Sequence, residues 1–266
     1  MRLLSALCFA TATMFAATAH PQEMRAAPAA QDEQRELARR FVSVGGSEAQ
    51  FVQAAIRGFE TSLPRHGVNL TDAQRTRLRP TLQVAFQEPA RIYVDEMTAF
   101  FARTASAADL EAAVTYYESD AGRAYAGAVV DLVIAIALFS ASGGATSLPE
   151  VPEESAFAAT QVAAARRLAA AFLDRMSELE VEQLAASGIE AGGFTNWLAR
   201  FVASRLSTAD VEAAARWAES PESRRLEGPS AERAAAEQLA SLRATRAIDL
   251  DAIRAELDAI RRENPT

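Results

Sequence analysis

The residue types that most often carry out chemistry in proteins are scarce in this sequence. It contains two histidines, His20 and His66, and a single cysteine, Cys8, among 266 residues. A di-iron or zinc site in a helical bundle needs Glu-x-x-His or His-x-x-x-His on its helices, and neither pattern occurs. His66 follows Pro64 in a segment typical of a turn between helices. We therefore predict no metal site and no bound cofactor.

Copper binding at a processed amino terminus is the one histidine-based alternative. Cleavage after Ala19 would expose the amine of His20, and this amine, its imidazole and His66 could together hold copper. Nothing in the sequence brings His66 near His20. We therefore favour a solvated position for both histidines.

Nucleophilic and acid–base patterns are equally weak. Ser47 lies in the segment Gly-Gly-Ser-Glu-Ala, which lacks the final glycine of a nucleophile elbow, so a helix cap explains Ser47 better. The adjacent carboxylates Asp95-Glu96 and Glu153-Glu154 either point in different directions on a helix or lie in a loop. We predict no catalytic residue, and a carboxylate-dependent hydrolase stays as an alternative that convergent carboxylates with raised pKa values would favour.

The composition indicates an all-α protein. There are 61 alanines, and hydrophobic residues make up 50% of the chain. The 27 basic residues other than histidine are all arginine. Alanine favours helix at almost every position, and the chain is too apolar for a disordered protein and too charged for one with many membrane spans. The net charge of −8 argues against a nucleic-acid-binding protein that works through its overall field.

The amino terminus has the features of an export signal. Arg2 forms a short positive region, residues 3–17 are apolar and uncharged, and Ala17-Thr18-Ala19 has the small residues that signal peptidase requires. We predict a signal peptide over residues 1–19, a flexible leader over 20–31, and location in the periplasm or outside the cell. Cys8 lies within the signal after Leu7, which argues against a lipid anchor, so the mature chain has no cysteine.

Helix-start signals recur along the rest of the chain. In a capping box, a hydroxyl and a side chain three residues later satisfy each other's backbone N–H groups. The segments that fit this pattern or its acidic version are Ser47–Gln50, Thr71–Gln74, Ser106–Asp109 and Ser207–Asp210. Each precedes apolar residues at helical spacing, and we find no convincing alternating strand. The segments therefore predict helices and no sheet.

A segment rich in glycine, proline and serine divides the mature chain. Residues 140–154 contain two glycines and two prolines and form the best candidate linker. We predict a first helical domain over residues 32–141, a linker over 142–154 and a second helical domain over 155–266.

The two parts of the chain look related. Shifting the sequence by 101 residues aligns two capping serines, two Glu-Ser pairs and two arginines. The matched pairs are Phe100 with Phe201, Ser106 with Ser207, Asp109 with Asp210, Glu118 with Glu219, Ser119 with Ser220 and Arg123 with Arg224. We interpret the pattern as a duplicated helix–turn–helix unit, with the second copy degenerate.

One segment of the first part carries a recognisable motif. It consists of an acidic-Leu pair, an aromatic pair and a Ser-x-x-Gly-Arg sequence, here Asp109, Leu110, Tyr116, Tyr117, Ser119, Gly122 and Arg123. In this pattern the chain resembles the bacterial exported family known as domain of unknown function 2059, with the best match over Phe101 to Arg123. The resemblance implies a small all-helical exported domain and no known activity. The chain departs from the family at Asp120, where a proline is usual.

The same motif has a structural explanation. Ser119 can end one helix and cap the next, and Gly122 lets two helices approach closely. The tyrosine pair supplies apolar mass between them. The copy near Phe201 to Arg224 keeps the serine and the arginine but has Ser223 in place of the glycine and Ala218 in place of the second tyrosine. We therefore interpret the motif as part of the fold and not as a ligand site.

The segment Ala124–Ala141 is apolar except for Asp131. A membrane span would place Asp131 near mid-depth at a cost of about 2.5–3.5 kcal/mol. We prefer a central core helix with Asp131 facing solvent or an arginine.

The carboxyl-terminal segment 230–262 predicts a long amphipathic helix with a break near Asp249. Leu250, Ile253, Leu257 and Ile260 have the spacing of a coiled-coil seam. We expect this Leu250–Ile260 stripe to pack on its own domain, and self-association through it is the alternative.

These features together favour a non-catalytic binding or interaction module with an unknown protein partner. The first alternative is a carrier of an apolar ligand or lipid beside residues 130–139, and the second is the hydrolase.

Overall fold

The computed structural model describes residues 28–45, 48–141, 148–176, 191–228 and 230–263. Within these ranges the protein is all-helical without a strand, as the sequence predicts. Its helices are α1 (Pro28–Gly45), α2 (Glu48–Ser62), α3 (Asp72–Thr104), α4 (Ala107–Tyr117), α5 (Asp120–Ala141), α6 (Ala159–Leu173), α7 (Ala191–Arg205), α8 (Thr208–Glu219), α9 (Pro221–Glu227), α10 (Ala231–Arg246) and α11 (Leu250–Glu263). Short 3-10 turns occur at Leu63–His66 and Glu154–Ala156. The predicted signal peptide, His20 and the predicted cap Ser47 lie outside the described residues.

Three helix starts follow the predicted caps. Thr71 and Gln74 form the complete capping box at the start of α3. The hydroxyls of Ser106 and Ser207 accept hydrogen bonds from the backbone N–H groups three residues later, at 3.1 and 3.2 Å. These contacts satisfy donors that a helix start leaves unpaired. Helix α1 begins at Pro28, inside the segment 20–31 that is predicted as a flexible leader.

The two predicted domains share one apolar core. Helices α1, α3, α4 and α5 pack together, and so do α6, α7 and α8. Contacts of α4 with α9 and of α5 with α8 join these groups. Buried residues from both sides of the linker, such as Phe101 and Phe201, belong to the same cluster. The last part of the predicted linker contacts α7, because the indole N–H of Trp197 donates a hydrogen bond to the carbonyl of Pro149 at 2.9 Å.

Helix α5 contains the apolar segment Ala124–Ala141, for which the sequence allows either a core helix or a membrane span. Its Tyr125, Leu132 and Ala135 are buried in the shared core. Asp131 is half-exposed and lies 3.9 Å from Arg205, as the core interpretation requires. No helix in the described ranges is long and apolar enough to cross a membrane.

The carboxyl-terminal segment forms two helices with a break at residues 247–249, close to the predicted position. Both α10 and α11 return to pack on α3. Ile253 and Ile260 are buried there with Leu78 and Leu82, and Leu257 packs against the same cluster. The Leu250–Ile260 stripe therefore packs largely inside its own chain, but on α3 of the first predicted domain and not on its own domain as predicted.

Candidate functional site

A group of buried polar side chains surrounds Glu227, at the end of α9. This carboxylate is 1% exposed. Arg175, in the turn after α6, donates a hydrogen bond to Oε2 at 2.6 Å, and Ser223 donates to the same oxygen at 3.0 Å. Arg175 also donates to the carbonyl of Ala218 at 2.6 Å. The buried negative charge is thus paired and hydrogen-bonded, as burial of a carboxylate requires.

Two aromatic side chains complete the group around Glu227. The phenol of Tyr117, on α4, donates to Oε1 at 2.6 Å, and the indole N–H of Trp217, on α8, donates to the same atom at 3.2 Å. Burial and the nearby Glu227 charge raise the pKa of Tyr117 well above its usual value, so the phenol stays protonated as a donor. Both carboxylate oxygens of Glu227 therefore already accept two hydrogen bonds each.

A second ion pair links the same helices. Asp109, at the start of α4, accepts hydrogen bonds at 2.6 and 3.1 Å from Arg225 on α9. Burial alone would raise the pKa of Asp109, but the hydrogen bonds from Arg225 and Ser106 outweigh it and leave the pKa lowered. Asp109 and Tyr117 thus both join the first part of the chain to the second.

The remaining motif residues shape the turn between α4 and α5. The hydroxyl of Ser119 donates to the carbonyl of Tyr116 at 2.5 Å and accepts from the backbone N–H of Gly122 at 3.0 Å. A Cβ atom on Gly122 would lie 2.0 Å from that Tyr116 carbonyl oxygen, so only glycine fits. Tyr116 stacks on Trp217 with ring centroids 4.9 Å apart. Leu110 is buried, and Arg123 is exposed beside Asp120.

The two parts of the chain repeat the same local hydrogen bonds. Gln34 of α1 donates to the carbonyl of Ala105 at 2.7 Å, and Gln161 of α6 donates to the carbonyl of Leu206 at 2.8 Å. Ala105 and Leu206 are separated by the same shift of 101 residues that aligns the two motifs.

An ion pair is repeated in the same way. Arg40 of α1 binds Glu118 at 2.8 Å, and Arg167 of α6 binds Glu219 at 2.9 Å. The residues on α1 and α6 differ by 127 positions, whereas the motif residues differ by 101, so the shift of 101 does not align them.

Helix α10 has an unusual distribution of polarity. Its buried side carries Arg233, whose guanidinium pairs with Glu237 at 2.7 Å, donates to the carbonyl of Leu226 and lies 5.3 Å from the ring centre of Phe101. Its solvent-facing side carries Leu239 and Leu242, which are 46% and 41% exposed. A surface helix normally buries its largest apolar side chains, whereas the apolar residues that α10 buries are alanines.

The cleft beside α5, where the sequence allows an apolar ligand, is small. The apolar cleft between α5, α6 and α7 is lined by residues such as Tyr125, Leu132 and Phe172 and has a volume of about 10 Å³. That volume is close to the minimum for one water molecule. Among the described residues, no three His, Cys, Asp or Glu side chains lie close enough together to hold a metal ion. His66 is exposed in the turn after α2, as predicted.

The sequence motif contains one side of the Glu227 group and not the other. Asp109, Tyr116 and Tyr117 belong to the motif, and the structure brings all three to the second part of the chain. Glu227 and Arg175 lie in no motif and are 52 residues apart in sequence, so no local pattern indicates them. Comparison of the chain with known proteins gives no further identification, since no family model, no curated protein and no solved structure matches it.

Proposed function

We propose that this protein is an exported, non-catalytic interaction module of the cell envelope, with the outer face of α10 as its contact surface. Export rests on the signal-like residues 1–19. Binding rests on Leu239 and Leu242, because large apolar side chains that share one exposed helix face are typical of a surface that another protein covers.

The inverted polarity of α10 is the observation that carries the proposal. Folding on α3 buries the charged Arg233 and Glu237 together with alanines, and leaves the two leucines, the largest apolar side chains of α10, in water. If the orientation of α10 depended only on how much apolar surface the chain itself removes from water, Leu239 and Leu242 would face α3. An orientation that exposes them is understandable when a partner covers this face.

The acid–base alternative gains no support from Glu227. This carboxylate would have to lose hydrogen bonds from Tyr117, Trp217, Ser223 and Arg175 before it could accept a proton from a substrate. The carrier alternative needs a cavity of several hundred Å³, whereas the cleft beside α5 has a volume of about 10 Å³.

We also propose that the chain contains two copies of one helical unit and is a distant relative of the family of domain of unknown function 2059. The repeated hydrogen bonds of Gln34 and Gln161 support a common origin of the two parts. In both parts a helix start is capped by the matching serine, Ser119 or Ser220.

The packing of the two units has the pattern of a local two-fold axis. If α4 corresponds to α8 and α5 to α9, then the contact of α4 with α9 is the mate of the contact of α5 with α8. Tyr116 stacks on Trp217, its own counterpart at a shift of 101 residues. A residue that meets its own counterpart is the signature of an isologous contact.

Site-specific photo-crosslinking in intact cells tests the interaction module. A photo-reactive amino acid at position 242 should form a crosslink to a defined envelope protein or to a second copy of this chain. Val84, which is 73% exposed on α3, is the matched control position and should give no crosslink to the same species. Equal products at positions 84 and 242, or none at 242, would contradict the proposal.

Export is tested separately by the intact mass of protein recovered from the periplasm. We expect the mass of a chain that begins at His20. Recovery of the full-length chain from the cytoplasm alone would refute export and leave the α10 proposal to its own test.

A further inference from the structure

We propose that the outer face of α10 binds the same face of a second copy of this chain, with the two α10 helices antiparallel. This inference rests on the proposed interaction module and names its partner.

Six exposed residues make up this face. Their spacing of three and four residues places them on one side of the helix, within an arc of about 100°. The residues are Glu232, Ala235, Leu239, Leu242, Arg243 and Arg246. Glu232, Leu239 and Arg246 are separated by seven residues each, with Ala235 and Leu242 between them, which is the spacing of a coiled-coil seam. The face is therefore narrow and shaped for another helix.

The charge distribution favours a second copy. The amino-terminal end of the face carries Glu232 and its carboxyl-terminal end carries Arg246, with the leucines between them. If two such helices lie antiparallel with Leu239 near the two-fold axis, Glu232 of each copy faces Arg246 of the other. A parallel pair would place like charges together at both ends. Because one surface supplies both members of each pair, the contact is self-complementary.

The local setting of α10 suits this role. The guanidinium of Arg233 lies over the ring of Phe101 of α3 on the inner side of the helix, and Arg243 binds Glu96 of α3 at the edge of the face. A helix that is fixed in this way loses little freedom when a partner binds. Since a single short helix face is small for a protein interface, we expect reversible, concentration-dependent dimers.

Analytical ultracentrifugation of the mature protein over a wide concentration range is the test. Wild-type protein should associate to a dimer, and Leu239→Glu should abolish association without changing the circular dichroism spectrum. Val84→Glu, at an exposed position on α3, is the control and should leave the dimer intact.

Charge reversal then tests the antiparallel arrangement. Glu232→Arg and Arg246→Glu should each raise the dissociation constant by roughly tenfold, since each places two like-charge pairs in the dimer. The double variant Glu232→Arg/Arg246→Glu should restore wild-type association. Failure of the double variant to restore it would overturn the antiparallel arrangement.

A wild-type protein that stays monomeric at the highest concentration reached would overturn the inference as a whole. It would not by itself overturn the interaction module, because a crosslink from position 242 to a different envelope protein would still support that proposal. Absence of both results would refute both.

Discussion

At the scale of single residues, the contacts around Glu227 assign different roles to two adjacent tyrosines. Tyr117 donates to the buried carboxylate, whereas the hydroxyl of Tyr116 is buried without a hydrogen-bond partner among the described residues. Their rings are similarly placed between α4 and the second part of the chain. The two hydroxyl groups therefore provide a matched comparison within one site.

Tyr117→Phe is expected to lower the free energy of unfolding by about 1.5–3 kcal/mol, because it removes a hydrogen bond to a charged group. Tyr116→Phe should not lower the same quantity, since that buried hydroxyl makes no hydrogen bond to lose. Urea unfolding of the three proteins measures both effects. Equal losses for the two variants would show that the Glu227 contact is not the cause.

The Asp109–Arg225 pair gives a pH-dependent prediction. Asp109→Asn should cost about 1 kcal/mol near neutral pH, because Arg225 is partly exposed. The folded-state pKa of Asp109 is lowered, so its contribution is present above the unfolded pKa of about 3.9 and is lost as the pH falls through the folded value. Unfolding curves between about pH 7 and pH 3 should show the difference from wild type shrinking in acid.

Asp120→Asn is the control for the Asp109 experiment. Asp120 lies in the same motif, but its side chain is 97% exposed. Its variant should differ little from wild type at any pH. A loss for Asp109→Asn that persists or grows in acid would contradict the ion-pair interpretation.

At the scale of helices, α3 shows how tertiary contacts override local preference. It continues over 33 residues through Pro80 and Pro89, each of which removes one backbone hydrogen bond. Packing against α1, α2, α10 and α11 along its length holds it helical. In contrast, the junction of α4 and α5 depends on one local feature, the absence of a side chain at Gly122.

Gly122→Ala and Gly127→Ala should have opposite effects. At Gly122 the new methyl group would clash with the backbone of α4, and we expect a loss of about 1–3 kcal/mol or more. At Gly127, inside α5, there is open space for a Cβ atom, so alanine should stabilise by up to about 1 kcal/mol through helix propensity. Thermal unfolding of both variants measures the contrast, and a stabilised Gly122→Ala protein would rule out the close approach.

At the scale of the whole molecule, the last two helices return to the first part of the chain. Helices α10 and α11 cover α3, so helices from early and late in the described chain pack on one helix. Unfolding of the described parts is expected to be cooperative, since the shared cluster spans the linker.

Ile260→Ala tests this return packing. The side chain is buried against α3, so the substitution should cost about 2–5 kcal/mol, whereas Leu250→Ala, at a position 37% exposed, should cost less than about 1 kcal/mol. Both variants are compared with wild type by urea unfolding with helical circular dichroism as the signal. Similar small losses for both would mean that the stripe does not pack on α3.

Local chemistry in the sequence was enough to predict much of the secondary structure and the shape of one turn. Thr71, Ser106 and Ser207 cap helices as expected, and the break near Asp249 lies where the pattern placed it. These features could be predicted because a cap or a turn depends on residues within a few positions of one another.

Only the tertiary structure decided what meets across the chain. Tyr117 and Glu227 are separated by 110 residues, and no local pattern specifies such a contact. The orientation of α10 is a second example, because its leucines mark an apolar face that periodicity would place inside, whereas the buried side carries Arg233 and Glu237. Periodicity identifies the faces of a helix, but the competition among all the faces of the molecule determines which one is buried.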